Sequence, residues 1–335
     1  VNGVRFLGCT FTNQPTEFAH SGNAIYSLSG QFRADQYAPL NGTARATSFS
    51  GYNYGIHATN VCRADKFTTI ANSTFINNKH GVYLNTHANA RVVKNTVTVP
   101  DLPTPIGTAA PLYGFYFDES TGYSFAQNTV TGAGNTYPKA GAVFKNSGAD
   151  FNEAYKNTFN NLTVGTEAVG NNKGADFQPG LQFKCNNYGE NDQNAADIAV
   201  WKENGNPNPQ GIQANQGGWN AQNNDPTTLA NNLFSRNQQD VYNELGAYKF
   251  NYYYSTSNPR YDPLSAFNIN EFPQFVNATY QVVCPDIITS GNGVIGDLNT
   301  LQAELTADDG GMSGKRNLYS QLLNGGNTPD LEAQI

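Results

Sequence analysis

The chain has 335 residues, only 13% of them charged, and a formal net charge of −7. No basic cluster exists and no apolar run reaches the eighteen or so residues that cross a bilayer, so neither nucleic acid nor membrane insertion is expected. The length permits a large core, and 46 asparagines give the composition its character.

In chain order, the opening "VNGVRFLGCTF" reads as the interior of a strand-rich region. Together with the closing "TPDLEAQI", which reads as a helix cut short, it predicts a piece of a longer protein. The first clear unit is "TTIANSTFINNKHGVYLN" at 68–85, a strand, a polar turn and a strand. The phrase returns as "RVVKNTVTV", "SFAQNTVTG" and "AYKNTFNN". Aligned on asparagine, the repeats place Asn72, Asn95, Asn128, Asn157 and Asn186, with steps of 23, 33, 29 and 29 residues. A second marker, glycine before an apolar residue, recurs at Gly55, Gly81, Gly114 and Gly141. Repetition at this period means a solenoid, a propeller or an array.

Within each unit apolar residues alternate with polar ones, the period of a strand rather than a helix. Two or three short strands per coil predict a parallel β-helix whose coils bury their inward side chains against their neighbours. Phe75, Val97, Val130 and Phe159 are the expected interior residues. The marked asparagines are expected to stack as a structural ladder along one edge, each bonding to the next rung at a corner where asparagine tolerates a left-handed backbone.

The proline-rich stretch 100–113 must leave the coil as a loop. Past residue 195, "DIAVWKENG" reads as another coil, and "NYYYS" places Tyr252, Tyr253 and Tyr254 in a row. Alternation buries one or two of the three and exposes the rest, which makes them the candidate surface-binding residues; a strand capping the coil stack is the plainer reading. From Asp297 the pattern turns helical. The predicted division is a β-helix over 1–290 and a helical segment over 291–335.

Cys9, Cys62, Cys185 and Cys284 fit no zinc spacing. Cys9–Cys62 and Cys185–Cys284 are the sequence-nearest pairs, and spacing leaves all three connectivities open. Bridged cysteines suit an oxidising, extracellular or cell-surface setting.

Several late phrases carry a family resemblance: "GLQFKCNNY" (180–188), "DIAV" (197–200), "QGIQANQG" (210–217), "NNLFS" (231–235), "DVYN" (240–243), "YYY" (252–254) and "LLNGGNTPDLEAQI" (322–335). They resemble the right-handed parallel β-helix repeat proteins of Bacteroidota, large surface or secreted chains exported by the type 9 system. The resemblance implies right-handed coiling and a passenger region of an exported protein, which meets its secretion machinery through parts outside these residues.

Catalytic signals are sparse. A glycosidase needs two carboxylates at defined separation, and Asp308–Asp309 is the sole adjacent aspartate pair, in the helical tail. Asp118 and Glu119 follow a strand, and Asp150 and Glu153 sit in a corresponding stretch of the next coil. Lys79, His80 and His87 gather near one coil, though "NNKHG" also reads as a corner. No catalytic residue, metal site or cofactor is expected. The residues favour a rigid scaffold or adhesin-like segment whose partner is a glycan or another surface protein. A glycan-binding module, or a polysaccharide lyase or hydrolase, stays open as the alternative.

Overall fold

The computed structural model describes residues 3–14, 22–39, 42–61, 68–102, 112–174, 180–189, 195–205, 210–218, 229–275 and 284. The chain divides into two units, Val1–Cys284 and Pro285–Ile335. The expected boundary at 290 and the helical segment after it lie outside the described residues.

The fold is a right-handed parallel β-helix. Each full coil supplies three short strands. The first coil holds β1 (Val4–Leu7), β2 (Thr10–Thr12) and β3 (Asn23–Leu28), and the second holds β4 (Phe32–Asp35), β5 (Thr47–Ser50) and β6 (Tyr54–Thr59). The third holds β7 (Thr68–Ala71), β8 (Ser73–Ile76) and β9 (His80–Asn85), and the fourth β10 (Arg91–Val93), β11 (Thr96–Val99) and β12 (Leu112–Asp118). Next come β13 (Ser124–Ala126), β14 (Thr129–Gly132) and β15 (Lys139–Lys145), then β16 (Asn152–Tyr155), β17 (Thr158–Asn160) and β18 (Val164–Val169). The later coils are less regular, with β19 (Leu181–Lys184), β20 (Ala196–Trp201), β21 (Asn215–Gln216), β22 (Val241–Asn243), β23 (Phe250–Ser255), β24 (Ala266–Phe267) and β25 (Ile269–Gln274).

The strands stack into parallel sheets. Sheet A runs β1-β4-β7-β10-β13-β16-β19, sheet B runs β2-β5-β8-β11-β14-β17, and sheet C runs β3-β6-β9-β12-β15-β18-β20-β22-β24. A three-stranded sheet, β21-β23-β25, accompanies the last coils. Since successive side chains on a strand point to opposite faces, one row of each strand fills the interior in register. Phe11, Phe49 and Phe75 pair across β2, β5 and β8, with ring centroids 5.0 and 4.8 Å apart. Val97, Val130 and Phe159 continue the same column, and Phe75, Val97, Val130 and Phe159 are all buried.

Two devices hold the coil shape. At the corner between sheets A and B one residue turns left-handed: Lys94, Gln127, Lys156 and Cys185 have φ of 54 to 57°. The glycine column on sheet C exists because the next coil's backbone comes too near for a side chain. A Cβ on Gly114 would lie 2.7 Å from the Gly141 carbonyl oxygen, and one on Gly81 2.3 Å from that of Gly114.

Beside the left-handed corner runs the asparagine column. The Asn95 backbone N–H and side-chain amide both donate to Asn128 Oδ1, at 3.0 and 2.9 Å. Asn128 treats Asn157 alike, both bonds at 2.9 Å, and Asn157 treats Asn186 alike, both at 3.0 Å. The second amide hydrogen of Asn95, Asn128 and Asn157 goes to the carbonyl of Ile70, Val92 and Phe125 respectively. Each buried amide is therefore fully used.

Two expectations need correction here. Asn72 is not a ladder member. Ala71 pairs with Val93 and Thr74 with Thr96, so Ser73 stands opposite Asn95 and donates its N–H to Asn95 Oδ1 at 3.0 Å. Asn72 occupies the left-handed position one residue earlier (φ 45°), and its amide bonds Asp35 Oδ1 at 2.9 Å. The ladder asparagines themselves also avoid positive φ; the residue before each one takes the turn. Sequence alignment missed Asn232, which accepts from Asn186 at 3.0 and 3.1 Å. Its step of 46 residues, stretched by an inserted loop, hid it.

Candidate binding face

The outward rows of sheet C are the chemically distinctive surface. The register aligns Tyr26, His57, Tyr83 and Tyr116 across β3, β6, β9 and β12. Their ring centroids are 5.3, 5.0 and 5.4 Å apart in that order, so one aromatic ring stands on each successive coil. A second row, Tyr54, His80 and Tyr113, runs beside it at 4.8 and 4.3 Å. The rows touch: Tyr54 lies 4.9 Å from His57, and Tyr113 5.0 Å from Tyr116. His80 and Tyr113 are buried, while Tyr26 is 61% exposed and Tyr54, His57, Tyr83 and Tyr116 are half-buried.

Along the axis the stripe becomes acidic. Tyr116 is followed by Val143 and then Glu167 in the same row, while Asp118, Lys145, Val169 and Trp201 form the adjoining row. Tyr83 donates its hydroxyl to Asp118 Oδ2 at 2.8 Å. Glu203 takes Lys145 Nζ at 3.3 Å and the Asn146 amide at 2.9 Å. Burial raises the Tyr116 phenol pKa, and the charges of Asp118, Glu167 and Glu203 raise it further, so all three carboxylates act on one hydroxyl. Burial pushes Glu167 up to about 7. On the aromatic side, burial holds His80 down to about 3, with Lys79 adding to it, and also pulls His57 down.

The candidate clusters from the sequence resolve differently. His80 opens β9 and sits between Tyr54 and Tyr113, whereas His87 lies past the other end of that strand with Nδ1 3.2 Å from Thr68 Oγ1. The two do not form a site with Lys79. Asp118 faces outward on sheet C, but Glu153 pairs in register on sheet A and bonds Lys184 at 3.4 Å. Asp150 accepts the Thr121 hydroxyl. The carboxylates of these two coils therefore serve different faces. Asp308 and Asp309 lie outside the described residues.

The tyrosine row follows the expected alternation, and two of its members fail as surface-binding candidates. Tyr252 and Tyr254 are buried and belong to the core; only Tyr253 turns outward, stacked on Phe272 at 4.9 Å. Strand alternation does this, sending the first and third rings inward. A disulfide joins Cys185 to Cys284. Cys9 carries a free, half-buried thiol, and Cys62 lies outside the described residues. The aromatic stripe went unread because its members come from four coils with unequal insertions; only the register assembles them.

A family model described as periplasmic copper-binding protein (NosD) matches residues 19–181, just under half of the chain. No curated protein and no solved structure matches it. The described residues do not fit a copper site. Copper favours converging imidazole, thiolate or thioether ligands, and no group of three or more histidine, cysteine, aspartate or glutamate side chains among the described residues is placed to hold a metal. His57 and His80 pack on the Tyr54 ring between them. On the described residues the similarity bears on the β-helix.

Proposed function

We propose that this chain is a non-catalytic β-helical segment of an exported protein, a stiff, adhesin-like scaffold that presents its outer faces to a partner. The observation that carries this reading is the asparagine column. Every coil from Asn95 to Asn232 is bonded to the next through buried amides, which ties the stack into a rod that resists local opening. Export is supported by the Cys185–Cys284 disulfide, which suits an oxidising compartment, and by the periplasmic description of the matching family model. The resemblance to Bacteroidota surface proteins makes type 9 export the expected route, with a surface or extracellular destination.

Fractionation of the native cells tests the location: recovery in the periplasm, at the surface or in the medium is expected, and recovery in the cytoplasm would overturn export. Incubation with a panel of polysaccharides tests the absence of catalysis. One observation favours the enzymatic alternative, namely Glu167, a carboxyl raised by burial to about 7, which lies two coils from Tyr116 in the same row while Asp118 follows Tyr116 on β12. New reducing ends or unsaturated sugars that vanish in Glu167→Gln would establish it in place of the scaffold.

A further inference from the structure

We infer that the outer face of sheet C binds a linear polysaccharide carrying free amino groups, laid along the solenoid axis. Three observations combine. First, the aromatic row Tyr26, His57, Tyr83 and Tyr116 advances one ring per coil, so it spans about 15 Å in a straight line at the usual interstrand spacing. The rings are not coplanar: Tyr26 and Tyr83 each stand edge to face with His57, at 83° and 79°, and Tyr116 is tilted 44° from Tyr83, so neighbouring rings offer faces and edges in alternation to the C–H and hydroxyl groups of successive pyranose units. The exposed ring of Tyr26 stands at one end, where a polymer can continue past it.

Second, the opposite end is acidic in excess. Asp118 stands two residues beyond Tyr116 on β12, Glu167 lies two coils on in the Tyr116 row, and Glu203 holds Lys145, the register partner of Asp118. Asp118 has the Tyr83 hydroxyl as a partner, and Glu203 has Lys145 and Asn146. Glu167 stands between Val143 and Ala199 in its row and beside Val169 on its strand, in an apolar setting that leaves its carboxyl suited to a cation brought by a ligand. Third, electron-rich phenol faces attract ammonium groups as well as sugar rings, so the aromatic row and the carboxylates select for the same charge. A uronate polymer meets repulsion at this end. A neutral one gains stacking and leaves the carboxylates without a counterpart.

The test is calorimetric titration of the intact chain, at neutral pH and about 0.15 M salt, with a fully deacetylated glucosamine hexamer, its N-acetylated counterpart and an oligogalacturonate. The glucosamine hexamer is expected to bind at least tenfold more tightly than the N-acetylated one, and the oligogalacturonate not at all. Tyr26→Ala removes an exposed ring that the fold does not need, and it should weaken binding severalfold with no change in melting temperature. Glu167→Gln should erase the preference for the amine. Glu271→Gln, on an exposed position of β25, should change nothing. Equal binding of the amine and N-acetylated hexamers, preference for the uronate, or equal losses from Glu167→Gln and Glu271→Gln would each overturn the inference. The scaffold reading survives any of those results, because it rests on the coil stack and on export.

Discussion

Asn232 passes the end of the asparagine column to Tyr252. Its backbone N–H and its side-chain amide both donate to the Tyr252 hydroxyl oxygen, at 3.0 and 3.2 Å. A phenol thus does for the last ladder asparagine what an asparagine carbonyl does for each one before it. Replacing Tyr252 with Phe keeps the ring in the core and strands two buried donors, at about 1–3 kcal/mol for each unsatisfied group. Urea titration should show a lowered midpoint with an unchanged slope. A wild-type midpoint would mean that the hydroxyl does not terminate the column.

Mid-column, Asn157→Ala should cost more than Tyr252→Phe. It removes the acceptor for two Asn128 donors and also the donors to Phe125 and Asn186. Asn72→Ala, at the left-handed corner outside the column, should cost less than either. Thermal melts of the three variants check the order, and a larger loss for Asn72 would sink the register argument.

That contrast shows what was legible in the sequence. Periodicity of two, the turn residues and the repeat spacing were enough to read the β-helix, and Phe75, Val97, Val130 and Phe159 were assigned to the interior on that basis. Asn72 was misplaced because asparagine suits both the ladder and the adjacent left-handed turn, so residue identity cannot say which site it fills. The aromatic face was illegible for a different reason. Tyr26, His57, Tyr83 and Tyr116 are separated by 31, 26 and 33 residues, and only strand pairing tells which of the chain's nineteen tyrosines share a row.

Three groups with large shifts should dominate the pH dependence of stability, and His57, also lowered by burial, acts in the same direction as the other histidines. His80 and His87 are held neutral, down to about 3 and about 4, by burial, whereas Glu167 is raised to about 7. Between pH 6.5 and 4.5 the unfolded chain binds two histidine protons that the folded chain refuses, and the folded chain keeps one glutamate proton that the unfolded chain loses. The balance is one extra proton on the unfolded state, so these groups remove about 1.4 kcal/mol for each unit of falling pH. In Glu167→Gln the offsetting proton is gone and the loss doubles to about 2.7 kcal/mol per unit. Urea midpoints across this range compare the two slopes, and parallel slopes would refute the assignment.

Lys139 is 2% exposed and donates to Asp101 at 2.6 Å and to the carbonyls of Gly134 and Tyr137. It fastens the turn between β14 and β15. Lys139→Met should lower the melting temperature and open that turn to protease. Lys145→Met, which breaks a pair whose side chains are 30% and 27% exposed, should do little, because exposed pairs contribute little. Equal effects would contradict the difference in burial.

Reducing the Cys185–Cys284 bridge frees a loop closed over 99 residues, and on loop entropy alone the loss of stability reaches about 4.7 kcal/mol. A melt with and without reductant measures it, and no shift would show that the bond adds nothing to the fold.

The same bond also decides how the chain carries a load. Cys284 is fastened to the coil of β19, although β25 stands on a later coil. Tension entering beyond residue 284 passes straight through the sulfur pair to residue 185 and bypasses every residue in between. In a single-molecule pulling record the contour of 99 residues would stay hidden until a reductant was added. Strands β20 to β25 are then sheltered from force, whereas the coils that carry Tyr26, His57, Tyr83 and Tyr116 lie before residue 185 and stay in the line of load.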